Sequence, residues 1–309
     1  MRNPDRAADA SPHADFGARM ILVALSFIWG MTWPLMKVAL IEIPPLTMRA
    51  AAAVLGAVTY ALLCVIMRRR FRIPSLKAWG HVLAGALLNI VAFSLFSAFA
   101  QLAATTSRVT ILAYTMPIWS VLLAWWFLGE RPNRTQTTAL LLCAAGLAIL
   151  IYPLTGNGIP LGILFALAVG LCWAGGTVYL KWAHIEADQM GAGSWQMTVA
   201  AVILVVVMLI FEGRPEFGGA YLDGYLATAW TGIAGNGIAY ALWFTVVRRL
   251  PAVTASLGVL AVPVIGIVAS SLILGEVPTV ADMIGFALIF VASSCVLLTR
   301  QTVVVSQPT

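Results

Sequence analysis

Charge is what this sequence has least of. Only 10% of its 309 residues are Asp, Glu, Lys or Arg, 61% are apolar, and the mean hydropathy is +0.95. A soluble chain of this length covers its surface with about 25% charged residues, so the composition excludes an ordinary water-soluble domain and implies a bilayer as solvent. No basic run is interleaved with stacking aromatics on a polar stretch, which excludes nucleic acid as a partner. The surplus of 18 Lys and Arg over 12 Asp and Glu therefore bears on membrane topology. Histidine and cysteine are scarce as well. Cys64, Cys143, Cys172 and Cys295 all fall inside apolar runs without metal-ligand spacing and read as small core residues. His13, His81 and His184 fall at a tail or at helix ends, so no histidine–carboxylate cluster faces the membrane interior. No metal, cofactor or nucleophile–base pair is expected, and a membrane-embedded enzyme is the disfavoured reading.

What the chain does have is long apolar runs. Ten of them, at 20–41, 46–67, 79–99, 107–128, 135–153, 160–181, 192–211, 222–247, 252–274 and 280–299, approach the ~20 residues needed to cross ~30 Å of hydrocarbon as a helix. Helices are the expected element, because an open strand leaves its backbone groups unsatisfied in lipid. With the N-terminus inside, Arg68, Arg69, Arg70, Arg72, Lys77, Arg131, Arg134, Arg248 and Arg249 all fall on the cytoplasmic side, with most of the remaining cations. Arg49, Arg108 and Arg214 fall opposite, and Lys37 lies inside the outer end of the first helix. That bias predicts cytoplasmic N- and C-termini, in a bacterial inner membrane. Residues 1–19 and 300–309 read as short cytoplasmic tails, not as a cleaved signal.

A duplication runs through the chain. Met116 to Glu130 reads MPIWSVLLAWWFLGE, and Val262 to Glu276 reads VPVIGIVASSLILGE; Pro117, Gly129 and Glu130 recur as Pro263, Gly275 and Glu276 at an offset of 146. Asn89, Phe93 and Phe96 recur as Asn236, Tyr240 and Trp243 at 147, and Trp29 and Lys37 as Trp173 and Lys181 at 144. The chain thus reads as two five-helix units, residues 20–153 and 160–299. An odd number of crossings makes the second unit enter from the opposite side, so the expected fold is all-α, with ten transmembrane helices as two inverted repeats around a central cavity. Substrate sites in such folds lie near the midplane, where the halves meet.

An apolar span with an internal proline followed by Leu-Gly-Glu, duplicated, with a tryptophan in the first helix of each half, resembles the EamA family of the drug/metabolite transporter superfamily. The resemblance covers residues 20–299. Within that superfamily the chain is similar to YddG-type exporters of aromatic amino acids. The resemblance implies a ten-helix basket whose cavity is lined mainly by the first, third, fourth, sixth, eighth and ninth helices, and it implies export.

The residues point to the same region on their own terms. Asn89, Phe93 and Phe96 are spaced to share one helical face, as are Asn236, Tyr240 and Trp243. An amide in hydrocarbon needs a partner, either as helix–helix glue or facing a cavity. Trp29 with Trp33, and Trp173 with Thr177, form two more i, i+4 faces too deep for interfacial anchors. Tyr114 lies three residues before Pro117. These ten positions without Phe96 (Trp29, Trp33, Asn89, Phe93, Tyr114, Trp173, Thr177, Asn236, Tyr240 and Trp243) are the expected substrate-binding residues. Pro117 and Pro263 each free a carbonyl, of Ala113 and Val259, and with Pro34 they are hinge candidates for alternating access. None of the twelve carboxylates lies mid-span. That favours a facilitative carrier, with a proton-coupled exporter of broader specificity as the alternative. Aromatic faces and amides, with no central cation or carboxylate, suit a neutral, partly apolar molecule such as an aromatic or hydrophobic amino acid. Glu130 and Glu276 read as caps or turn residues at interfaces, and Lys37 and Arg108 as snorkelling cations. The expected partners are a small-molecule substrate and the lipid bilayer, with the protein a monomer or weak dimer.

Overall fold

A computed structural model of the chain describes residues 12–129, 131–152, 160–249 and 260–298, and every regular element among them is helical. In chain order they are α1 (Pro12–Glu42), α2 (Pro45–Ile66), α3 (Leu76–Gly85) and α4 (Phe93–Ala103). Next come α5 (Thr106–Ala113), α6 (Met116–Leu128), α7 (Arg134–Ile151), α8 (Leu161–Ala183) and α9 (Gln189–Phe211). The last are α10 (Leu222–Ala229), α11 (Ala239–Arg249), α12 (Ala261–Leu274) and α13 (Val280–Leu298). A π-helical segment, Ala86–Ala92, joins α3 to α4, and another, Trp230–Ile238, joins α10 to α11.

Among the described residues, seven helical stretches are long and apolar enough to span a bilayer: Met20–Glu42, Pro45–Ile66, Leu76–Ala103, Thr106–Phe127, Arg134–Ile151, Leu161–Ala183 and Gln189–Phe211. Two shorter apolar helices follow, Ala261–Leu274 and Val280–Cys295. Two boundaries differ from the sequence expectation. Helix α1 starts at Pro12, inside the tail expected over 1–19, and the third span runs over 76–103 where 79–99 was expected. Glu130, Val259 and the 300–309 tail lie outside the described residues.

The outward faces are apolar, as a lipid solvent requires: Trp126, Phe127, Ile210 and Phe211 are all largely exposed. Inside, α2 packs along α9, α7 along α13, α1 against α12, and α8 against α4 and α6. The Leu-Gly-Glu repeat has a local cause. Gly129 and Gly275 end α6 and α12 in the left-handed region, at φ 70° and 66°, a conformation that an L side chain disfavours. After the second of these turns Glu276 reaches across to α5, accepting from the backbone N–H of Thr106 at 2.7 Å and of Ser107 at 2.9 Å, and from the Ser107 hydroxyl at 2.8 Å. The glutamate therefore caps a helix start, though of a distant helix and not the next one. A carboxylate there answers orphan N–H groups and the helix dipole together.

The same end carries further knots of this kind. Glu212 accepts from the N–H of Leu46 and Thr47 at the start of α2, and Glu42 from the N–H of Tyr221. Arg108 grips Asp282 with two hydrogen bonds, at 2.8 and 3.1 Å, so it forms an ion pair and does not simply snorkel. Lys37 donates to the Gln101 carbonyl.

Candidate substrate site

The two π segments carry the paired asparagines. Asn89 lies within Ala86–Ala92 and Asn236 within Trp230–Ile238. A π turn makes i→i+5 hydrogen bonds and shifts the phase of the residues after it, and such segments concentrate at functional sites. Beyond the first segment, Phe93 and Phe96 both face α8: Phe93 meets Trp173, with ring centroids 5.4 Å apart, and Phe96, one turn on, meets Phe165 at 5.9 Å.

Four elements bring the expected aromatics into one group. Trp29 on α1 lies 6.3 Å from Trp173 on α8, 6.2 Å from Tyr240 and 5.9 Å from Trp243, both on α11. Trp33 lies 6.3 Å from Phe93, and Trp173 lies 6.1 Å from Tyr240. These spacings and the mostly edge-on angles are those of favourable aromatic pairs. The rings pack within contact distance of one another in the region where the sequence suggested a cavity. A cavity of about 530 Å³ does exist, but at the other end, between the α2–α3 and α8–α9 connectors, lined by Arg70, Arg72, Glu186 and Asp188. It touches none of the expected site residues.

The two amides differ. Asn236 donates from Nδ2 to the Ala52 carbonyl of α2 at 3.3 Å, so it faces a neighbouring helix and not the rings. Asn89 Oδ1 is buried without a hydrogen-bond partner and sits against Gly176 of α8, where a Cβ would come to within 2.4 Å of the amide carbon. The two matched tryptophans differ the same way. The Trp29 indole N–H donates to the Gly235 carbonyl at 3.2 Å, while that of Trp173 takes no hydrogen bond among the described residues. Thr177 turns its hydroxyl back to the Trp173 carbonyl at 2.8 Å and is exposed.

Around Pro117 the chain does more than bend. Helix α5 stops at Ala113, and α6 starts at Met116, with Thr115 N–H donating to the Leu112 carbonyl at the break. The Ala113 carbonyl freed by Pro117 packs against Gly170 of α8. Tyr114 is buried at the break, in the same core as Trp33 and Phe93, and its carbonyl accepts from the Ser293 hydroxyl at 3.3 Å. Pro263 is the third residue of α12, where a helix needs no backbone donor. Helix α1 runs on through Pro34.

Arg49 corrects the sequence reading. It was expected among the cations of the outer surface, with no cation at the centre. Instead it is 4% exposed: Nη2 donates to Ser94 Oγ at 2.6 Å, Nη1 points at Met36 Sδ at 3.0 Å, and Nε is buried without a partner. Among the described residues it has no carboxylate partner, unlike Arg69 with Asp188 and Arg108 with Asp282. An uncompensated buried charge costs several kcal/mol. The signal was present in its setting, an arginine followed at once by Ala50–Val54 inside an apolar run, but charge counting by side ignores which way a side chain faces.

The comparisons agree with this architecture. The model of the EamA-like transporter family matches twice, over residues 17–152 and 160–298. The chain is 27% identical to the uncharacterized transporter YoaV of Bacillus subtilis, over 87% of this chain and 92% of that protein. It is also 27% identical to YvbV of the same organism, over 91% of each. It is 25% identical to the uncharacterized inner membrane transporter YedA of Escherichia coli, over 78% of this chain and 77% of that one. A solved crystal structure superposes with a TM-score of 0.64 at 21% identity, over 91% of this chain and 96% of its own, which bears on the fold alone. A group of aromatic side chains brought together inside a multi-pass helical membrane protein, and a family model that fits it twice, have one common explanation: the chain belongs to the EamA-like transporter family and is a membrane transporter.

Proposed function

We propose that the protein exports small metabolites, most readily aromatic or hydrophobic amino acids, by facilitative alternating access at the aromatic group. The observation that carries this reading is the meeting of Trp29, Trp33, Phe93, Trp173, Tyr240 and Trp243, drawn from both family matches, beside an open Asn89 carbonyl and an open Trp173 N–H. A planar apolar side chain stacks among such rings, and the open acceptor and donor suit an ammonium and a carboxylate. The two halves act as inverted five-helix repeats of a ten-helix bundle in the inner membrane, and they rock about the break at Pro117 and about Pro263. Thr177, Asn236 and Tyr114 support the site from its edges. Glu42, Glu212, Glu276 and Asp282 serve as helix caps or in an ion pair, which favours transport down the substrate's own gradient.

Purified protein in liposomes, loaded with labelled tryptophan or phenylalanine, tests the proposal. Protein-dependent flux that ignores an imposed pH gradient is the expected result. Flux that tracks the gradient instead selects the proton-coupled alternative, and no flux of any metabolite rejects the transport site.

A further inference from the structure

We infer that Arg49 is the carboxylate receptor of the transport site, so that the preferred substrate carries one carboxylate on a short link to an aromatic or apolar body. The inference rests on the proposed transport reading and narrows it. Arg49 belongs to α2, a helix that contributes none of the expected site residues, yet its guanidinium is buried between α1 and α4, the helices that carry Trp33 and Phe93. Its Nη2 bonds Ser94, the residue after Phe93, and its Nη1 meets Met36, one helical turn beyond Trp33 on the same face of α1.

The partners it has are a hydroxyl and a thioether, both neutral. A guanidinium offers five N–H donors in a planar fork that matches a carboxylate. Here one bonds a strong acceptor, one meets a weak one, and the Nε donor is buried with none. Four carboxylates of this end are engaged, Glu42, Glu212 and Glu276 by backbone N–H groups and Asp282 by Arg108, and the other two described there, Glu216 and Asp223, are exposed. No acid of the described chain is left to balance Arg49, so the balancing anion is a ligand. One cation balances one carboxylate, whereas a phosphate monoester calls for more positive charge than a single arginine supplies. An ionisable group held inside a membrane bundle away from lipid marks a substrate pathway by default.

Two measurements test the assignment, and the first needs no variant. In detergent, 3-phenylpropionate should raise the unfolding midpoint of the wild-type protein clearly more than its uncharged isostere 3-phenylpropionamide does. Equal shifts, or none with the acid, overturn the assignment. Second, binding of labelled tryptophan should weaken roughly 30-fold or more in Arg49→Gln, the loss expected when one partner of a buried charge pair is removed. Arg49→Lys should fall between, since it keeps the charge and loses the fork. Competition by 3-phenylpropionamide should stay the same in wild type and Arg49→Gln. If the amide and the acid lose equally in Arg49→Gln, the residue is structural and the assignment fails, with the transport reading untouched. If wild-type liposomes carry no flux yet the acid still stabilises the protein more than the amide does, transport is rejected and the carboxylate site stands.

Discussion

The two π segments occupy matched places in the chain and have been put to different uses. In the second, Asn236 gives its amide to the Ala52 carbonyl, and the Gly235 carbonyl receives the Trp29 indole. In the first, Asn89 leaves Oδ1 open, and Trp173, the counterpart of Trp29, leaves its indole N–H open. The second segment is saturated by protein and the first is not. Duplication supplied the same residues twice, and packing decided which copy became scaffold and which kept unspent hydrogen-bonding capacity. The difference extends to the glycines they face. A Cβ on Gly56 would lie 2.6 Å from the Cβ of Asn236 and 3.2 Å from the Gly232 carbonyl, whereas one on Gly176 would meet only the swinging amide of Asn89.

The largest expected effect breaks the comparison at the saturated side. Gly56→Ala forces α2 off the second π segment, because neither a Cβ nor a backbone carbonyl can rotate away, and it should cost about 1–3 kcal/mol of stability. Adding Asn236→Ala should not restore it, since that change leaves the clashing Cβ in place. Gly176→Ala should cost less than Gly56→Ala, because Asn89 can turn. Thermal unfolding of the purified variants gives the order directly, and equal losses at the two glycines would erase the distinction between the segments.

The asparagines themselves come next. Asn236→Ala removes an interhelical hydrogen bond, and such bonds within membranes average about 0.6 kcal/mol with a maximum near 1.7. It should lower stability by that order and leave flux near the wild-type level. Asn89→Ala removes an amide whose carbonyl oxygen bonds nothing in the protein, so stability should hold or rise while flux falls. Measured together, unfolding midpoint and liposome flux should separate the two variants in opposite directions. A flux loss in both with no stability change in either would make the two amides equivalent again.

Much of this was legible in the sequence, for definite reasons. Apolar run length locates the helices because the bilayer sets it, and the repeated Pro, Gly and Glu positions expose the duplication that the family model also finds. The aromatic group was legible too, because Trp29, Trp33 and Trp173 sit too deep for interface anchors and Phe93, Tyr240 and Trp243 are spaced to share helical faces with the paired asparagines. What stayed hidden depends on partners far away in the chain. Glu276 looks like the cap of the next helix until its bonds to Thr106 and Ser107 are seen. The π segments Ala86–Ala92 and Trp230–Ile238 leave no trace in hydrophobic pattern. Arg49 was counted by side of the membrane, and counting does not register that its stem turns inward toward Ser94 and Met36.

The smallest expected effect sharpens the comparison most finely. Trp29→Phe keeps a ring at the centre of the aromatic group but withdraws the donor from the Gly235 carbonyl. At 3.2 Å that bond is a long one, so its loss should cost about 0.5 kcal/mol, the low end for a neutral hydrogen bond. The cost should appear locally, as faster hydrogen exchange of amides in Trp230–Ile238, because one saturated carbonyl of that segment is now open. Trp173→Phe withdraws a donor that bonds nothing in the described protein, so exchange in Ala86–Ala92 should not change. If it also weakens tryptophan binding, the free N–H serves a ligand; if Trp173→Phe accelerates exchange in its segment as Trp29→Phe does in its own, the first segment is as saturated as the second and the asymmetry between them is lost.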